Sequence, residues 1–408
     1  MERYRALLRF PHVKALLISA FPARVAYGMI ALATFFKAEN ATHSIAVAGL
    51  AIGLESFSSA ITAGLRGSLM DRFGLKWPLR VFVPSYALMI LALNASHDRT
   101  VILLISFILG LASPPINLSI RPMWKSVVPA EFLRTAYALD TAVISAATVF
   151  GPVIATSLAL SKHPGSALTL CAILVFIGGA CLAFTKAAQS WTPEVKARGS
   201  ASLFKNPAIR LLMLEGCFIG FGIGAFDIAV PAFATLEHIP ERTAWILAIM
   251  GICNIFGGLF GGLVSKKTSP LLVFRRTYFV WFLIELPLAF SYPGWSMALI
   301  AGGIGLCGGA LQVFYLEVME AVRPHGSAIS SLGWLWTVEG TFMSFGAAVG
   351  GWVSNSLSPR VCLSFSTISV ACGLLVLTIG RKRLAAANAI PTEAQDLNAM
   401  KDNASPSH

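Results

Sequence analysis

The chain has 408 residues, of which 56% are apolar and only 12% are charged, and its mean hydropathy is +0.73. Soluble domains carry about 25% charged residues, so the composition argues against a cytosolic enzyme, a disordered chain or a disulfide-stapled secreted domain. A net charge of +12 would suggest nucleic acid in a soluble protein; here the placement of the basic residues supplies another reason.

A membrane helix needs about 20 mostly apolar residues. Twelve stretches meet that need: 15–36, 44–65, 81–96, 101–120, 136–161, 166–185, 211–234, 243–265, 277–293, 296–319, 327–354 and 361–380. The expected fold is an all-α membrane protein with twelve transmembrane helices in two six-helix halves. A polar linker, 186–210, separates the N-terminal bundle (1–185) from the C-terminal bundle (211–383). Residues 384–408 are Ala-, Asn- and Ser-rich and are expected to form a disordered cytoplasmic tail. The basic N-terminus precedes an apolar run, as in a signal peptide. That run is long enough to span and no small-residue cleavage site follows, so an uncleaved first span is expected.

Cytoplasmic loops collect Lys and Arg. With both termini inside, the inner segments hold 25 basic residues and the outer loops five, and Arg24 alone lies within a span. The plasma membrane is the expected location, and the positive charge needs no polyanion. The seven cysteines all sit in apolar runs without a CxxC, as packing residues do.

Between the second and third spans the chain reads Gly67-Ser68-Leu69-Met70-Asp71-Arg72-Phe73-Gly74-Leu75-Lys76. Physically this is a membrane exit and a tight turn. Gly67 permits close helix approach, Asp71 suits a helix N-terminus, and Gly74 takes turn backbone angles. The segment resembles the signature loop of the major facilitator superfamily, Gly-x-Leu-x-Asp-Arg-x-Gly-basic-basic, with Leu75 in place of the first basic residue. The resemblance implies a secondary transporter whose two halves rock around a central site. It also implies a gating role for Gly67, Asp71, Arg72 and Gly74: the aspartate docks on the opposite half and holds the outward-facing state. The loop after the eighth span, Gly262-Leu263-Val264-Ser265-Lys266-Lys267, echoes it without the aspartate. A second segment, Gly151-Pro152, resembles the glycine-rich fifth-span motif of drug/proton antiporters. Ala147, Ala155 and Thr156 stand where that motif has glycines. The fourth span lacks the family's Arg-x-x-x-Gly pattern and carries Ser113-Pro114-Pro115, which predicts a kink.

Eight ionisable residues fall within the spans: Arg24, Glu55, Asp140, Glu215, Asp227, Glu285, Glu317 and Glu339. Each costs about +2.5–3.5 kcal/mol at mid-helix on the insertion scale. Asp140, Glu215 and Glu317 lie near the expected cytoplasmic ends, where Arg121 and Arg134 are available to pair with Asp140 as gating charges. Arg24 and Glu55 sit at matching depth on adjacent antiparallel spans. One stripe carries Arg24 and Tyr27; the other carries Glu55, Ser59, Thr62 and Arg66. An Arg24–Glu55 interaction is therefore expected. Four deep carboxylates then share one deep cation, so the remainder must be protonated, hydrogen-bonded or open to water. A carboxyl that takes up and releases a proton between states is what proton-coupled transport requires. Arg24, Tyr27, Glu55, Asp227, Trp336 and Glu339 are the candidate cavity residues, whereas Glu285 suits a structural role.

No HExxH, GxSxG or P-loop spacing is present, and all seven histidines fall outside the spans. No enzyme, metal site or cofactor is expected. The expected partners are a small-molecule substrate, protons and membrane lipid, with no nucleic acid, and the expected state is a monomer. Proton-coupled efflux of a small organic solute is the leading reading. Proton-coupled nutrient uptake, or a non-transporting receptor or scaffold on the same fold, are the alternatives.

Overall fold

The computed structural model describes residues 2–159, 161, 165–193, 203–239, 241–264, 268–324 and 326–388. Residues 194–202 of the expected linker, the tail beyond Asn388, and Lys162, Lys266, Lys267 and Lys401 lie outside them. A chain this apolar must satisfy its backbone internally in lipid, and helices do so within one segment.

The helices in chain order are α1 (Glu2–Leu7), α2 (Val13–Thr42), α3 (Ile45–Phe73), α4 (Lys76–Ala95), α5 (Arg99–Ala112), α6 (Ile116–Val127), α7 (Leu133–Ala159) and α8 (Ser166–Phe184). They continue with α9 (Lys186–Ser190), α10 (Pro207–Leu236), α11 (Arg242–Gly261), α12 (Pro270–Glu285), α13 (Trp295–Val322), α14 (Ala328–Ser356) and α15 (Pro359–Ile379). Among the described residues, ten helical segments are long and apolar enough to cross a membrane, with α5 and α6 counted as one. That is two fewer than the twelve expected; α12 and α14 fall outside the ten.

Helix limits depart from the apolar stretches for local reasons. Ser269 caps α12, Pro270 occupies its first turn, and Pro287 follows its end. This helix, the ninth expected span, therefore begins seven residues before the expected 277 and takes in Arg275 and Arg276. Likewise α3 runs on to Phe73, past the expected end at 65. Gly74 ends it with φ +77°, a left-handed backbone that suits glycine.

In the first bundle α2 packs on α7 and α8, α3 on α5, and α4 on α8. In the second, α10 packs on α14 and α15, and α11 on α13. The two meet where α3 lies on α14 and α7 lies on α11 and α13. Glycines allow the closest crossings. A Cβ on Gly28 would stand 2.5 Å from the Ala147 carbonyl oxygen and 3.3 Å from the Gly151 Cα. Gly151 of the Gly-Pro segment thus lets α7 lie directly on α2. Gly220 and Gly224 similarly abut the backbone of α14 at Glu339 and Met343.

Candidate functional site

The site begins with a broken helix. Pro114 and Pro115 separate α5 from α6 and free carbonyl groups that need donors. Those donors come from neighbouring helices. The Tyr27 hydroxyl donates to the Pro114 carbonyl at 2.5 Å, and the Arg66 guanidinium donates to the Ser113 carbonyl. Arg66 also donates to the Ser59 carbonyl at 2.6 Å and the Ser59 hydroxyl at 3.2 Å. Glu55, Ser59 and Arg66 of the expected stripe therefore face inward.

Behind this wall lies a buried charge cluster. Arg24 Nη2 donates to Asp140 Oδ1 at 2.5 Å, and Arg24 Nε donates to Asn117 Oδ1 at 3.1 Å. Arg121 Nε lies 3.8 Å from Asp140 Oδ2, beyond hydrogen-bond range. One carboxylate thus serves two guanidiniums. Arg24 Nη1, Arg121 Nε, Arg121 Nη2 and Asp140 Oδ2 are buried without a hydrogen-bond partner. The expected Arg24–Glu55 pair is not formed. Glu55 instead accepts from the Thr34 hydroxyl at 3.4 Å. Helix adjacency in space explains the difference: the Gly28–Gly151 contact presses α7 against α2, so Asp140 reaches Arg24 first. Asp140 was expected near a helix end, paired with Arg121 or Arg134. It is fully buried and holds Arg24, while Arg134 goes elsewhere.

The facing wall comes from the second bundle. Tyr278 donates to Glu215 Oε1 at 2.7 Å. Glu339 and Trp336 occupy the same face of α14, one turn apart, and the Arg121 guanidinium lies 5.7 Å from the Trp336 ring centre. Between the walls is a cavity of about 780 Å³, within the range of small-molecule sites. Its ionisable carboxylates and guanidiniums are Glu55, Arg66 and Arg121 from the first bundle and Glu215 and Glu339 from the second. Tyr27, Tyr86, Tyr315 and Trp336 add an aromatic lining.

The end of the molecule carrying Asp71 is bridged between the bundles. The Ile329 and Ser330 amides, in the first turn of α14, donate to the Asp71 carboxylate at 3.0 Å and 2.7 Å. Arg134 donates to both oxygens of Glu317 at 2.7–2.9 Å and to the Val264 carbonyl at 3.1 Å. Lys125 pairs with Glu320. The Tyr4 hydroxyl, which burial pushes up to about 12 and so keeps as a donor, reaches the Leu259 carbonyl at 2.6 Å.

Of the residues expected at the cavity, Tyr27, Glu55, Trp336 and Glu339 line it, and Arg24 lies directly behind Asn117. Asp227 does not line it; the glycines preceding it on α10 serve the α10–α14 crossing. Gly67 faces the Ile329 and Ser330 backbone, and exposed Arg72 lies over the Phe73 ring at 5.2 Å. Glu285 is buried against Ser366 at 2.5 Å, away from the cavity. Arg66, Arg121 and Glu215 line the cavity although their positions pointed to loops or helix ends. The single deep cation of the sequence count becomes three. For Arg66 the signal was its place on the Glu55 stripe; for Glu215 no pattern in the sequence marks it.

The family model described as Major Facilitator Superfamily matches residues 16–330. The chain belongs to the Major Facilitator Superfamily. Members are transporters and not enzymes, and this one is a multi-pass membrane protein. An uncharacterized MFS-type transporter of Sinorhizobium fredii, y4rN, is 24% identical over 93% of this chain and 98% of its own length. The quinolone resistance protein NorA of Staphylococcus aureus is 22% identical over 76% of this chain and 80% of its own. Two solved structures share the fold. A bacterial homologue of the iron transporter ferroportin, in an outward-facing state, has a TM-score of 0.73 at 13% identity, covering 90% of this chain and 98% of that one. The Escherichia coli fucose:proton symporter FucP has a TM-score of 0.68 at 17% identity, with the same coverage.

Proposed function

We propose that this superfamily member exports a small organic solute across the plasma membrane in exchange for protons, by alternating access. The carrying observation is the cavity between the bundles, whose second-bundle wall bears, among the described residues, Glu215 and Glu339 and no lysine or arginine. Two carboxylates with no cation beside them on their wall need either protons or a substrate to offset their charge while the bundles rock. That requirement couples the two occupants. Glu55 serves as a further proton carrier on the opposite wall, beside Tyr86. Arg24 orients Asp140, whose charge holds the Arg121 head group nearby, and Asp227 acts outside the cavity.

In this reading α12 and α14 complete a set of twelve spans in two six-helix halves, 1–185 and 211–383, joined by a cytoplasmic linker at 186–210. Both termini are cytoplasmic, the Asp71 end is the cytoplasmic end, and the protein works as a monomer. Asp71, Arg134–Glu317 and Lys125–Glu320 close that end, leaving the cavity to the outside. Gly67 and Gly74 allow the loop to dock, and Arg72 anchors it at the anionic leaflet. The NorA relationship and the Gly151-Pro152 segment favour export.

The test is proton movement in proteoliposomes of fixed orientation, loaded with a pH-sensitive dye and exposed to a panel of antibiotics and metabolites. A substrate that drives proton flux opposite to its own movement supports the proposal. Proton flux in the same direction as the substrate would replace export with symport. Uptake indifferent to an imposed pH gradient, and unaltered by Glu215→Gln with Glu339→Gln, would refute proton coupling.

A further inference from the structure

Charge in the cavity is divided between its two walls. Among the described residues, the first bundle contributes Arg66 and Arg121 with one acid, Glu55, and the second contributes Glu215 and Glu339 with no cation. Neither arginine has an acid of its own on that wall. The hydrogen bonds of Arg66 go to the Ser113, Ser59 and Thr62 carbonyls and the Ser59 hydroxyl, all uncharged acceptors. Arg121 shares Asp140 with Arg24, which holds that carboxylate at 2.5 Å. It keeps two buried nitrogens without a partner. A guanidinium that lines a cavity without an acid of its own is a receptor for a planar oxyanion. The opposite wall supplies acceptors. Trp336 lies beneath Arg121 and one turn from Glu339, so an aromatic surface joins the two poles.

From this division we infer that the solute is dipolar: an aromatic compound carrying a carboxylate and an amine on the same scaffold. The carboxylate meets Arg121 and Arg66, the amine meets Glu215 and Glu339, and the ring lies against Trp336. A simple cation leaves the charges of Arg66 and Arg121 uncompensated, and a simple anion leaves those of the two acids uncompensated. Either mismatch costs affinity because the unpaired groups are partly desolvated. The inference rests on the central cavity being the substrate site of the proposed carrier.

Two matched probe series test it on the purified full-length protein by calorimetric titration. One comprises 4-(aminomethyl)benzoate, benzylamine, benzoate and benzamide; the other comprises 6-(aminomethyl)-2-naphthoate and its three corresponding analogues. In at least one series the dipolar member should bind ten-fold or more tightly than both singly charged relatives. Arg121→Gln should abolish its advantage over the amine, and Glu339→Gln its advantage over the carboxylate. Because the preference is measured on the unmodified protein, misfolding of a variant does not remove the test. A singly charged relative binding as tightly as the dipolar probe in both series, or no binding by any member, overturns the inference. Counterflow of the same probes separates the two readings. Transport of benzylamine without dipolar preference leaves the carrier standing and removes the substrate class. Dipolar preference in binding without any counterflow does the reverse.

Discussion

Replacing Asp71 should release the bridged end of the molecule without unfolding either bundle. Its carboxylate accepts from the Ile329 and Ser330 amides, with a second contact from Ile329 at 3.2 Å. It therefore caps α14 from the other bundle. The N-cap residue of α14 itself, Ser327, makes no capping bond; its hydroxyl donates to the Pro324 carbonyl and lies 2.9 Å from the Ser331 hydroxyl. Hydrogen bonds to a charged group contribute about 1.5–3 kcal/mol each, and a carboxylate at a helix N-terminus adds about 0.3–1 kcal/mol. Water replaces part of this once the end opens. A net loss of about 2–3 kcal/mol is expected for Asp71→Ala, a change of roughly 30- to 140-fold in the ratio of closed to open at that end. Asp71→Asn keeps an acceptor but no charge and should give roughly half the free-energy change. Spin labels at exposed Ser126 and Leu263, on either side of the closed end, read the two populations by distance measurement. A distance distribution unchanged in Asp71→Ala, in protein whose melting temperature is also unchanged, refutes the reasoning.

Three further outcomes follow from the same contacts. Asp140→Asn strands both Arg24 and Arg121 in a buried site, whereas Arg24→Gln leaves Asp140 with Arg121 3.8 Å away; the first should cost about 3–5 kcal/mol and the second clearly less, by thermal or denaturant unfolding. Equal losses contradict the shared-carboxylate arrangement. Arg134→Ala removes the bonds to Glu317 and Val264 and should open the Asp71 end several-fold in the spin-label measurement. Lys125→Ala removes only a partly exposed pair and should shift it by about 1 kcal/mol or less; reversal of that order argues against Arg134 as the principal bridge. Gly28→Ala places a methyl group against the Ala147 carbonyl and should destabilise the first bundle by about 1–3 kcal/mol, and a neutral effect on melting means that α2 and α7 separate at little cost.

Several site residues were legible from one helix at a time. Tyr27, Glu55, Trp336 and Glu339 are polar or amphipathic side chains in apolar stretches, and all four line the cavity. The Pro114-Pro115 kink was legible too, because a missing donor is a property of the residue itself. Its consequence was not: the carbonyls it frees draw Tyr27 and Arg66 across from α2 and α3. Arg66 was assigned to a loop because the apolar stretch ends before it, yet α3 continues for two more turns. Glu215 sits in an ordinary first third of α10, and only Tyr278 and the facing α14 make it a cavity group.

Composition, span lengths and the Gly67–Lys76 loop determined by themselves that this is a helical membrane protein of the Major Facilitator Superfamily. Those signals are local: lipid demands apolar helices, and a tight turn demands glycine and a capping acid. The pairing of charges was decided by the tertiary structure alone. Arg24 has several carboxylates at plausible depth, and the choice of Asp140 over Glu55 depends on which helices touch. That choice is set by two glycines, Gly28 and Gly151, 123 residues apart in the chain, whose missing side chains let α2 and α7 close on each other.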